Sequence, residues 1–186
     1  EAMPTEGVFR ERRADGERVQ PSGAGETVLP AGFEPVAEVL ARAGLRARIE
    51  PDIARARLAK LLVNVAINPL AALFGVTNGA LLDPPHRVLL DTLVREALPV
   101  LHAHGLDLDE TAALARVHSV AIATARNRAS MLQDVLAGRR TELDAITGAL
   151  LRMADAGGFA VPTHRAVHTL VRTIERAAFD SSEGRG

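Results

Sequence analysis

AKLLVNVAINPL, residues 59–70, sets Lys60, Asn64 and Asn68 four residues apart inside an otherwise apolar run. At about 100° per residue, positions i, i+4 and i+8 spread over only about 80° of a helix surface. The spacing predicts one helix with a narrow polar lane and apolar residues around the rest of its circumference. That is the pattern of a helix buried on most sides. Each buried polar group left unpaired costs on the order of 1–3 kcal/mol. The amine and the two amides must therefore meet partners supplied by the protein or by a ligand.

Outward from this stretch the helical pattern continues in both directions. The helix is expected to start near Pro51, a residue tolerated in a first turn, and to end or kink at Pro69. PLAALFG then closes on Gly75, with a polar turn at Thr77-Asn78-Gly79. Upstream, PVAEVLARAG (35–44) reads as a helix closed by a glycine, and RARIE as a short link. Downstream, helices are expected over 86–104, from Asp109 or Thr111 to about Arg126, over 130–138 with Ser130 as N-cap, and from Thr141. A last helix opens at Pro162-Thr163, with Val167, Leu170, Val171 and Ile174 on one face. Residues 1–32 differ: Asp15-Gly16 is a hairpin signal, and the short β-capable pieces are too few to form a sheet alone. The expected fold class is mainly α: an all-α bundle over 33–179, a short β appendage over 1–32 and a disordered tail over 180–186.

A chain of 186 residues can bury a core as one domain with an appendage. Aromatic residues are only 3%, with no Trp or Tyr, so aliphatic side chains must build that core. The same scarcity removes the stacking platforms used on single-stranded nucleic acid, and a net charge of -1 gives no attraction to a polyanion. No nucleic-acid partner is expected. Zero cysteines exclude disulfide and thiolate chemistry and fit a reducing compartment. No apolar run reads as a membrane span and no signal pattern opens the chain, so the expected setting is cytoplasmic.

Each candidate site residue has a structural reading beside its chemical one. A lone lysine such as Lys60 would usually reach for the surface, but it shares a lane with two amides. Desolvation would lower its pKa and make it a usable proton donor. Asn68 either pairs with backbone groups freed at Pro69 or binds a ligand. Asn127 and Ser130 begin a short helix, where a hydroxyl and free N–H groups suit an anion or simple capping. Glu142 and Asp144 lie in a first turn, where acids favour the helix dipole. His164 and His168 are four apart, and His102 and His104 two apart, but neither pair has an obvious third ligand, so no metal site is expected. There is no G-x-G-x-x-G or G-x-x-x-x-G-K-[ST] motif.

AKLLVNVAINPLAALFGVTNGALL, ASMLQDVLAGRRTELDAITG and the final VPTH, in that order, resemble the C-terminal domain of ketopantoate reductases, the NADPH-dependent 2-dehydropantoate 2-reductases. The resemblance implies a helical domain of the 6-phosphogluconate-dehydrogenase-like type, a 2-oxo acid substrate and a homodimer. It implies Lys60 as proton donor to the ketone oxygen, and Asn64, Asn68, Asn78, Asn127 and Ser130 as substrate-binding residues. Glu142 matches an acid that contacts the cofactor, NADPH, held mainly by an N-terminal Rossmann domain. Residues 1–32 resemble the last strands of that domain, so the chain is expected to be part of a full reductase, inactive alone. Ala80 and Ala129 stand where the family often has an acid and a serine. Two alternatives remain: a non-catalytic helical dimerisation domain, or a reductase of another branched 2-oxo acid.

Overall fold

A computed structural model describes the backbone of residues 3–4, 8–13, 16–21 and 26–183, and the side chains of residues 26–179. The chain divides into two compact units, Glu1–Arg57 and Leu58–Gly186. This division falls later than the expected limit at residue 32, because strand pairing continues beyond it.

In the first unit, β1 (Met3–Pro4) pairs antiparallel with β4 (Thr27–Pro30), and β4 pairs parallel with β5 (Ala47–Glu50). The segment expected as a link is therefore a strand. Its partner lies 20 residues upstream in register (Thr27 with Ala47), and such non-local pairing leaves no local signal in four residues. Between β4 and β5 runs α1 (Glu34–Arg42), followed by Gly44 at φ 77°. None of its residues is buried; Val36 and Val39 are 43% and 60% exposed. β2 (Val8–Arg13) and β3 (Gly16–Pro21) form a separate antiparallel pair with Arg13 opposite Gly16. Gly16 of the expected turn opens β3, whereas Asp15 lies outside the described residues.

α2 (Ile53–Phe74) crosses the division between the units and runs through Pro69 without ending. Proline in a helix interior costs about 3 kcal/mol. Burial of Val65, Ala66, Ile67, Leu70 and Ala71 around it outweighs that penalty at about 0.8 kcal/mol per methylene. By length and composition α2 could cross a membrane, contrary to the run-length expectation; half of its apolar window is buried inside the chain's own fold, the position of a core helix. A 3₁₀ turn (Gly79–Leu82) leads to α3 (His86–His102), then α4 (Glu110–Ala123), whose cap Asp109 accepts from the Ala112 N–H. α5 (Ser130–Leu136), α6 (Leu143–Gly157) and α7 (Pro162–Glu183) complete the bundle. α7 continues four residues into the segment expected to be disordered, and residues 184–186 lie outside the described residues. The core is aliphatic, with Leu62, Leu70, Leu90, Leu93, Leu101 and Leu150 fully buried.

α7 begins under a cap from another helix. The Glu96 carboxylate on α3 accepts the Thr163 N–H at 3.0 Å from both oxygens and the His164 N–H at 3.1 Å. His164 itself is fully buried; its Nε2 donates to the Leu93 carbonyl at 2.9 Å, and Nδ1 has no partner. Burial pushes its pKa below the ordinary 6.5, against the Leu93 bond and the Glu96 charge. The unfolded chain then binds the proton more readily, so stability falls as pH drops below about 6.5. Urea midpoints are expected to decline between pH 7 and pH 5, and His164→Leu should flatten that slope. An unchanged slope in the variant would reject His164 as its source.

Candidate functional site

Between Leu62 and Ala72, every residue of α2 is buried except Asn64 and Asn68. With Lys60 they are half-buried and form the open lane of this helix, as the four-residue spacing predicts. Neither amide side chain is hydrogen-bonded among the described residues. Pro69 frees a backbone carbonyl one turn earlier, yet Asn68 does not bond to it. Both amides therefore offer donors and an acceptor to whatever enters the lane.

Desolvation lowers the Lys60 pKa below the ordinary 10.5, and the charge of Glu142 partly opposes that shift. Glu142 occupies the N-cap position of α6, makes no capping bond through its side chain and stands exposed. Its neighbours are held tightly. The Thr141 N–H donates to Glu175 Oε1 at 2.6 Å, and Thr141 Oγ1 accepts the Leu143 N–H at 3.2 Å. Asp144 is bonded to Arg172 and, at 3.2 Å, to His168. These pairings lower the Asp144 pKa, the Arg172 bond most. Asp144 thus ties α6 to α7.

Asn78 and Asn127 come together through the backbone. The Asn78 N–H donates to the Asn127 carbonyl at 3.0 Å, and the Gly79 N–H to the Ala125 carbonyl at 3.1 Å. The Asn78 side chain is 8% exposed; its Nδ2 donates to Thr124 Oγ1 at 2.9 Å, and its Oδ1 is buried without a partner. This fastens the connector after α2 to the end of α4. A Cβ at Gly79 would lie 2.6 Å from the Ala125 Cβ and 3.0 Å from its backbone. Gly79→Ala is expected to destabilise by about 1–3 kcal/mol, read by urea unfolding, because backbone cannot yield as a side-chain tip can. A wild-type midpoint would mean that the connectors part without cost.

Ser130 is the first helical residue of α5 rather than its cap; the N-cap is Ala129, 5% exposed, without a side-chain capping bond. The Ala129 methyl is buried, and Ser130 is left exposed. Arg139 forks onto Asp134 through Nε and Nη2 at 3.0 and 2.7 Å. His164 and His168 engage separate partners, and no group of three metal-ligating side chains gathers among the described residues. An open cleft of about 350 Å³ lies between Thr92, Arg95, Glu96, Pro99, Phe159 and Ala160, and none of the expected site residues lines it. Its charged groups are committed, Arg95 to Glu110 and Glu96 to α7. The residue that the periodicity reading missed is Glu175. It follows Val167 and Val171 at four-residue steps on the buried face, whereas Leu170, expected there, is half exposed.

The family model described as Ketopantoate reductase PanE/ApbA C terminal matches residues 52–175. A 2-dehydropantoate 2-reductase of Pyrobaculum aerophilum is 37% identical over 175 residues, covering 94% of this chain and 61% of that protein. One of Bacillus subtilis is 40% identical over 128 residues, covering 68% and 42%. The chain thus spans about three-fifths or less of these curated relatives. The crystal structure of a PanE/ApbA family ketopantoate reductase from Ralstonia eutropha JMP134 superposes with a TM-score of 0.81 at 30% identity, covering 95% of this chain and 60% of that one. A D-mandelate dehydrogenase solved with NADH and anilino(oxo)acetate superposes with a TM-score of 0.76 at 26% identity, covering 84% and 68%.

Proposed function

This chain belongs to the ketopantoate reductase family through its C-terminal domain, and from that premise we propose that it forms the substrate-binding and proton-donating part of an NADPH-dependent 2-dehydropantoate 2-reductase. The observation that carries the reading is the open lane of α2, where Lys60 lies beside two amides whose side chains are not hydrogen-bonded among the described residues. Asn64 and Asn68 orient the 2-oxo acid by hydrogen bonds to its carbonyl, hydroxyl or carboxylate oxygens. Asn127 and Ser130 add polar groups from the α4–α5 connection, and Asn78 supports them by holding that connection in place. As the carbonyl carbon gains a hydride, its oxygen gains the electron pair of the broken π bond. Lys60 gives that oxygen a proton and is left as a neutral amine.

NADPH, when bound, supplies the hydride. Glu142 fits a cofactor contact from this chain, since its side chain is exposed and makes no capping bond. The uncovered apolar face of α1 and the parallel β4–β5 pair support a larger sheet, contributed by the rest of the reductase. A homodimer is part of the same reading.

Asn64→Ala and Asn68→Ala test the lane in the full-length reductase. Each is expected to raise the Michaelis constant for 2-dehydropantoate by about tenfold, the value of one hydrogen bond to a charged or strongly polar group. Wild-type Michaelis constants in both would place the substrate elsewhere. A second reading, reduction of another branched 2-oxo acid, is favoured by Ala80 and Ala129 and by the likeness to D-mandelate dehydrogenase. Comparing kcat/KM across 2-oxo acids with different side chains decides between them.

A further inference from the structure

Glu175 is a buried acid, 8% exposed, on the apolar face of α7. A carboxylate in such a place is expensive unless its oxygens are used. One oxygen accepts the Thr141 N–H at 2.6 Å, across 34 residues of chain, and the other lies 3.8 Å from Arg172 Nε. Thr141 directly precedes Glu142. On the other side, Asp144 is bonded to Arg172 and His168, again from α7. Glu142 is therefore an exposed residue of a short segment whose flanks, Thr141 and Asp144, are both held by one helix. Neither of these bonds reaches the lane of α2, and neither is needed to cap α6, since Thr141 Oγ1 already serves the Leu143 N–H.

We propose that Glu175 is a positioning residue: by holding the Thr141 N–H, it fixes the place of the adjoining Glu142 carboxylate at the start of α6, and through it the charge that Lys60 meets. This rests on the reading of Lys60 as the proton donor. The Glu142 charge opposes the desolvation that lowers the pKa of that amine. Glu142 is already exposed, so a loosened 139–142 segment would let its carboxylate range over many positions, and its charge acts little on groups beyond about 8 Å. Arg172 has a supporting part, holding Asp144 with one nitrogen and facing Glu175 with another.

The chain has a single lysine, so carbon-13 lysine labelling yields one side-chain signal, and its pH titration reports Lys60 directly. Glu142→Gln is expected to move that titration to lower pH, because an attractive charge is lost. Glu175→Met should move it in the same direction, and should add nothing in the Glu142→Gln background. Glu175→Gln keeps an oxygen for Thr141 while removing the charge, and should leave the titration in place. In the full-length reductase, Glu175→Met should lower kcat by about tenfold, within the range that small misplacements reach, with little change in KM. An unmoved Lys60 titration in folded Glu175→Met overturns the proposal, as does an equal shift in Glu175→Gln, which would mark a direct charge effect. Should Glu175→Met not fold, amide exchange at Thr141 of the wild-type chain decides: slow exchange supports the proposal and fast exchange overturns it. A fully active Lys60→Ala would instead overturn the catalytic reading, while the lysine titration still decides the positioning.

Discussion

Lys60→Ala in the full-length reductase is expected to lose about 10²–10⁴-fold in turnover, the usual contribution of a positioned general acid. In the proposed reaction, hydride arrival leaves negative charge on the ketone oxygen, and Lys60 is the only lysine in the chain. Its other permanently basic side chains are arginines, whose guanidinium does not release a proton near neutral pH. Desolvation brings the Lys60 pKa down from 10.5, and Glu142 limits the fall. The donor must be protonated to act, so turnover should decline as pH rises through that lowered value. Glu142→Gln should bring the decline to lower pH. The fold should survive, because truncation removes a half-desolvated charge together with its contacts. Near wild-type reduction of 2-dehydropantoate by Lys60→Ala would show that the proton comes from another group.

Glu96→Ala is expected to cost about 1–3 kcal/mol of stability. Glu96 satisfies two of the free N–H groups at the start of a 22-residue helix, and does so with a charged acceptor. Loss of a cap costs about 0.5–2 kcal/mol, and an acid placed on the helix dipole adds roughly 0.3–1 kcal/mol. For a chain of this size the sum corresponds to a fall in Tm of roughly 2–12 °C. Glu96→Gln retains an acceptor and should recover part of the loss. A Glu96→Ala midpoint equal to wild type would show that water replaces the carboxylate without penalty.

Local pattern carried most of the helical unit. Lys60, Asn64 and Asn68 could be placed on one lane because helical period needs only neighbours in sequence, and the lane is where the structure opens α2. The helix starts near His86, Asp109 and Pro162 were readable from caps and prolines. What escaped depends on partners distant in the chain. β5 exists because β4 offers it an edge, and Pro69 stays helical because its surroundings are buried on both sides. Glu175 and Glu96 look like ordinary solvated acids on amphipathic helices until the amides they receive, 34 and 67 residues away, are in view. The roles of Asn78 and Asn127 as connector residues were equally hidden, since Gly79 meets Ala125 only in the folded bundle.

The Glu96 cap also sets an order of events at the ribosome. Thr163 follows Glu96 by 67 residues, and at about 5–20 residues per second that interval lasts roughly 3–13 s. Through it α3 can form, but the Glu96 carboxylate and the Leu93 carbonyl have no α7 to bond. Closing so long a loop is entropically slow, so docking of α7 is a late step of assembly. The cap thus makes completion of the bundle wait on the last helix to leave the ribosome, whichever helices have formed before it.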